Sequence, residues 1–140
     1  MKHTIKILAL VLVLALTMCA LASCAPSSDP DKALAALKDN GYVAGDSDAL
    51  ATVLNGLLVV ARVDAKADTI VSGSKIDEND AVQTVTIVYF KDSESAKNAW
   101  ETVKEYAEEN KKDDEDSSWT IKQSGAMIYW GTADGIAAAR

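Results

Sequence analysis

Ten consecutive residues, Ala-Val-Gln-Thr-Val-Thr-Ile-Val-Tyr-Phe from Ala81 to Phe90, limit the possible folds more than any other stretch. Branching at Cβ and aromatic rings crowd a helix but fit a pleated, half-buried surface, so this segment predicts a strand and therefore a sheet. Alternation puts Val85, Ile87 and Tyr89 on one face, Thr84 and Thr86 on the other. Directly after it, Asp92 or Ser93 caps a helix to about Lys111 whose stripe is Ala96, Ala99, Trp100, Val103 and Ala107. Glu94, Lys97, Glu101, Lys104, Glu105 and Glu108 occupy its remaining surface, where Glu-before-Lys neighbours help modestly. The expectation is a sheet with helices against the Val85 face and a wet face bearing Thr84 and Thr86.

The other segments follow from their caps and breakers. Asp29-Pro30 starts a helix that Asn40-Gly41 ends, with Ala33, Leu34 and Leu37 on one side. Tyr42 to Ala44 is a short strand, and Asp46, Ser47 or Asp48 caps a short helix stopped at Gly56. Leu57 to Ala65, interrupted by Arg62 and Asp64 on one parity, predicts a strand buried on one face. Lys66 to Asp80 is rich in turn residues, with Thr69 to Val71 as an optional ladder. Trp119 to Lys122 and Ala126 to Trp130 predict a hairpin, and Thr132 caps a last helix. The order of elements is that of a ferredoxin-like α+β fold: an antiparallel sheet packed against helices, with an extra N-terminal helix and a C-terminal hairpin and helix.

Residues 1–24 do not belong to that pattern. Lys2 and Lys6 precede an apolar run from Ile7 to Ala22. At ~1.5 Å per residue this run falls short of the roughly 30 Å of hydrocarbon a spanning helix must cross, so it predicts a cleaved secretory signal. It ends in Leu21-Ala22-Ser23-Cys24, which resembles the lipobox of bacterial lipoproteins. Cys19 is a poorer match because Met18 sets a bulky residue beside the cut, and an ordinary cleaved signal is the alternative. The resemblance implies cleavage after residue 23, a diacylglyceryl group on the Cys24 sulfur, and a protein anchored at the outer face of the cytoplasmic membrane. Ala25 is not the aspartate that resembles an inner-membrane retention signal in diderm bacteria, so an outer-membrane address stays open there. Residues 24–28 would be the lipidated cysteine and a short tether reaching about 14 Å, and residues 29–140 one domain.

Cleavage changes the chemical inventory. The sole histidine, His3, and Cys19 leave with the leader, and Cys24 is alkylated, which removes the commonest general base, the thiolate nucleophile and the usual zinc ligands. Lys plus Arg falls from 14 to 12 against 21 Asp plus Glu, so the formal charge moves from −7 to −9. Such a domain repels nucleic acid, and membrane attachment falls to the acyl chains.

Few motifs suggest chemistry. Ser72 and Lys75 have the Ser-x-x-Lys spacing of a lysine-activated serine and resemble penicillin-binding proteins in those two residues alone, so a solvated turn is the plainer reading. Asp113-Asp114-Glu115-Asp116 lacks the spacers and turn glycine of a calcium loop and is expected to be a solvated loop. The best candidate surface is the wet face, where Thr84 and Thr86, joined by Arg62 and Lys122, would receive an anionic ligand or a peptide strand. No cofactor and no metal is expected. The chain resembles small surface lipoproteins with a single compact domain, which implies a non-enzymatic binding or interaction module with an extracytoplasmic protein or peptide partner. The alternatives are an accessory subunit that modulates a membrane enzyme or transporter and, third, an enzyme using carboxylates or Ser72 and Lys75.

Overall fold

The β-branched run forms the middle strand of a five-stranded antiparallel sheet. The structure is a computed structural model that describes residues 25–140; residues 1–23, expected to be a cleaved signal, and Cys24 lie outside the described residues. In chain order the elements are α1 (Pro30–Asp39), β1 (Val43–Asp46), α2 (Asp48–Val60), β2 (Ala67–Ile76), β3 (Val82–Phe90), α3 (Ser93–Glu109), β4 (Thr120–Ser124), β5 (Met127–Gly131) and α4 (Ala133–Ala138). Four side chains start the four helices by accepting a backbone N–H: Asp29 from Asp31, Ser47 from Leu50, Asp92 from Ser95 and Thr132 from Gly135.

Helices cover both sides of the sheet, so the fold has three layers. On one face Val71, Val85, Ile87, Tyr89, Met127 and Tyr129 pack against Ala33 and Leu37 of α1 and Ile136 of α4. On the other, Ile70, Val88, Phe90, Ile128 and Trp130 pack against Leu54 and Leu58 of α2 and the Ala96, Ala99, Val103, Ala107 stripe of α3. The expected helix stripe and hairpin are both present. The expectation of one wholly wet face is corrected, because α2 and α3 seal much of it.

The α+β class stands, but its strand order is β1-β2-β3-β5-β4. A ferredoxin-like order would put the first strand inside the sheet. Here the chain returns from α2 running antiparallel to β1, so the first two strands pair directly and β1 takes an edge. The free edge of β3 goes to β5, the second strand of the C-terminal hairpin.

Two local readings are also corrected. Leu57 to Val60 continues α2 instead of forming a strand, because Leu54 and Leu58, four residues apart, share the buried side and carry the helix through Gly56. The apolar outer positions Val53, Leu57, Val59 and Val60 hid the helical period. The strand comes later, in the stretch that looked turn-rich. Gly73 lies in the middle of β2, and a Cβ there would stand 3.3 Å from both Leu37 and Ala44, so the glycine lets α1 and β1 approach.

The segment expected to be a free tether lies against the domain. Ala25 packs on the α1/α4 core, Ser27 N–H donates to the Ala139 carbonyl at 2.8 Å, and the Tyr89 hydroxyl donates to the Ser27 carbonyl at 2.8 Å. Burial, with Asp29 adding its charge, raises the Tyr89 pKa, so the hydroxyl keeps the proton it donates.

Candidate functional site

The cross-strand rows show where the α2/α3 side of the sheet stops being core. Ile70, Val88 and Ile128 stand side by side and are fully covered. Two rows on come Gly45, Ser72, Thr86 and Trp130, and two rows beyond those Val43, Ser74 and Thr84. Alternation places all of these on the same side. Here the helices no longer reach, because α2 begins and α3 ends at this level, leaving Leu50 at one flank and Tyr106 and Asn110 at the other. The result is a cleft of about 590 Å³ floored by Ser72, Ser74, Thr84 and Thr86. Trp130 closes its covered end, and Glu115 lies across from β1.

A buried threonine fixes the floor. Thr132 is 0 % exposed, and its N–H donates to the Thr84 carbonyl at 2.9 Å. Its hydroxyl accepts from the Thr84 N–H at 3.1 Å and from the Gly135 N–H at 3.3 Å, so one side chain both ties β3 and caps α4. The close approach requires glycine on both sides: a Cβ at Gly131 or Gly135 would fall on the Thr84 carbonyl oxygen. Gly131 also has φ 148°, where side-chain-bearing residues are strained.

Glu115 reaches the cleft because the acidic loop docks on the end of β3. Residues Val82 and Glu115 form an isolated parallel bridge, and Asp116 N–H donates to the Val82 carbonyl at 3.1 Å. The Asp116 carboxylate accepts from the Ser118 N–H at 2.9 Å and holds the turn, and its hydrogen bonds with Ser118 lower its pKa. Burial raises the pKa of Glu115, opposed by the Lys112 backbone amide and reinforced by Asp114. Its Oε2 is buried without a hydrogen-bond partner.

The residues expected to form one surface divide. Thr84 and Thr86 lie together on the cleft floor. Lys122 pairs with Tyr129 in the row that contains Ile87, so it belongs to the opposite side of the sheet. Arg62 lies just past the end of α2 with φ 58°, outside every strand. Consequently one carboxylate side chain, that of Glu115, lines the cleft and no lysine or arginine does, since Asp46 pairs with Val71 in the row of Ile87 and so belongs, like Lys122, to the opposite side. The reading that cations there receive an anion is therefore corrected, since the local charge has the other sign. Ser72 and Lys75 also separate. Odd spacing on a strand sends them to opposite faces. Lys75 Nζ donates to the Asn40 carbonyl at 3.1 Å and stands 5.7 Å from the centre of the Tyr42 ring.

Two residues escaped the sequence reading. Ser74 was hidden by the turn-like composition around Gly73, and Glu115 by three acidic neighbours that are mostly solvated. Alternation along β2 would have found the serines. Nothing in the sequence distinguishes Glu115 from Asp113 or Asp114.

A smaller hollow of about 330 Å³ on the α1/α4 side, lined in part by Tyr42, Lys75, Asp77, Gln83 and Asp134, has a structural explanation. Gln83 Nε2 donates to Asp77 at 2.9 Å, and Asp77 accepts the Asn79 and Ala81 N–H groups at 2.8 and 3.0 Å, closing the β2–β3 turn. Those bonds, Gln83 first, lower the Asp77 pKa. Among the described residues no group of three or more His, Cys, Asp or Glu is placed to hold a metal ion, and no helix is long and apolar enough to cross a membrane. Comparison with known proteins finds no significant match to a family model, a curated protein or a solved structure.

Proposed function

We propose that this chain is a lipid-anchored extracytoplasmic binding module, held through Cys24 at the outer face of the cytoplasmic membrane, whose partner sits in the cleft over Ser72, Ser74, Thr84 and Thr86. The observation that supports this most is that half a sheet face, between two helix ends, presents hydroxyls and an aromatic edge to solvent. General acid-base catalysis commonly needs a second group poised against the first. Asp46, the nearest carboxylate on β1, stands in the row of Val71 and Ile87 and so belongs to the opposite side of the sheet, which leaves Glu115 as the one carboxylate side chain at the cleft. The anchor geometry favours the same reading. Residues 25–27 lie on the α1/α4 side, opposite the cleft, so a bilayer at Cys24 would leave the cleft clear.

Two measurements test this. Mass spectrometry of the membrane-extracted protein should find Cys24 as a diacylated thioether, and Cys24→Ser should move the protein from the membrane to the soluble fraction. A photo-crosslinking residue at Thr86 should capture an envelope component in cells, while one at Lys122 should not. A free Cys24 thiol refutes the anchor, and equal capture from both positions refutes the site.

A second reading, an accessory subunit of a membrane enzyme or transporter, is supported by the outer side of α2. Val59 and Val60 are 75 % and 82 % exposed on a helix without charge after Asp48. Exposed apolar side chains that adjoin one another mark contact surfaces more often than singly scattered ones do. Crosslinking from Val59 to one integral membrane protein, with Thr86 silent, would favour that role.

A further inference from the structure

The cleft has a definite charge and one unmet hydrogen-bonding need. The Glu115 carboxylate lines it and no basic side chain does, in a domain whose net charge is already negative, so its field draws in cations and repels anions. Within it Glu115 Oε2 is out of water and accepts nothing. A desolvated carboxylate oxygen without a donor carries a cost that a bound donor removes, and a charged donor removes more of it than a neutral hydroxyl. The Ser72, Thr84 and Thr86 hydroxyls can accept further hydrogen bonds, and Tyr106 and Trp130 offer aromatic surface to an alkyl chain or a cation.

The geometry narrows the cation. A guanidinium binds best as a fork on both carboxylate oxygens, but of the two only Oε2 is buried without a partner. A hard metal ion wants six or more oxygens, several of them charged. A single unpartnered carboxylate oxygen at a cleft that neutral hydroxyls also line suits a compact charge with three rotatable donors.

We propose that the cleft seats a primary ammonium, carried on a lysine side chain or a small amine, with Glu115 Oε2 as its counter-ion and the Thr84 and Thr86 hydroxyls accepting its other N–H donors. This assignment rests on the cleft being the binding site of the module.

The experiment is an amide-shift NMR titration of the full-length protein in detergent with three probes. Nα-acetyl-lysine methylamide carries the ammonium on a peptide unit, 1,5-diaminopentane carries it free, and Nα-acetyl-norleucine methylamide has an alkyl side chain without charge. The ammonium probes should shift the Thr84 and Thr86 amides, and the norleucine probe should leave them unmoved. Tighter binding of the lysine probe assigns the ammonium to a peptide, and tighter binding of the diamine assigns it to a free amine. Glu115→Gln, with its spectrum unchanged away from the cleft, should weaken the better probe about tenfold or more. Equal response to norleucine, or an unchanged affinity in Glu115→Gln, overturns the proposal. If the amines are silent while the crosslinker at Thr86 still captures a partner, the ammonium is wrong and the binding site stands. If both are silent, both fall.

Discussion

Along β3, Val88 and Thr84 point the same way and lie four residues apart, yet one is sealed in the core and the other faces a cleft. Near Val88 the sheet meets Leu54, Leu58 and the alanine stripe of α3. Near Thr84 it meets the first turn of α2, the last turn of α3 and then solvent. The same strand, twist and alternation therefore support two surfaces, and where the helices end decides which is which. A sheet long enough to outrun its helices exposes part of a face, and hydroxyl side chains make that exposure tolerable without a second core.

The contrast can be broken from the packed side first. Ile128→Ala, fully buried beside Val88, should cost about 2–5 kcal/mol in denaturant melts, because it leaves a cavity under both helices. Val88→Thr carries the chemistry of the open half into the sealed half and should cost about 2 kcal/mol through a buried, unpaired hydroxyl. Thr132→Val should cost about 1–2 kcal/mol by removing a helix cap and the Thr84 tie, with faster hydrogen exchange at the Thr84 amide as its signature.

Smaller effects sharpen the comparison on the open side. Burial raises the folded-state pKa of Glu115, so the contribution of this one group to stability should fall as pH rises through the unfolded value of about 4.3 toward the folded one. Glu115→Gln should therefore melt slightly higher than wild type at neutral pH and coincide with it in acid. A fixed difference at every pH would mean the effect is not ionisation. Thr86→Val should change stability by no more than about 0.5 kcal/mol while reducing capture of a partner in the cleft. If it destabilises like Val88→Thr, the two halves are not different surfaces.

How much of this was legible depended on whether the signal was local. β3, the α3 stripe, the hairpin and the caps Asp29 and Thr132 could be read because each depends on neighbours within a few residues, while Ser47 and Asp92 were each one of two or three adjacent candidates. The strand expected at Leu57 and the loop expected at Ser72 failed for one shared reason. Packing overrode local preference: Leu54 and Leu58 bury α2 through a glycine, and Gly73 makes a strand out of a turn-like tripeptide because α1 presses on it. Of the proposed surface residues, Thr84 and Thr86 came from alternation and hold their shared face. Lys122 and Arg62 needed a knowledge of register and of where α2 ends.

By itself the sequence determined the elements with strong periods and an acidic composition with one histidine and two cysteines, since these are properties of composition and near neighbours. Only the tertiary structure decided that both sheet faces are covered, that the covering stops at Trp130, and that among four acids one carboxylate oxygen, Glu115 Oε2, is buried there without a partner. Those outcomes depend on contacts between residues tens of positions apart, whose burial is set by the assembled layers and not by any segment within them.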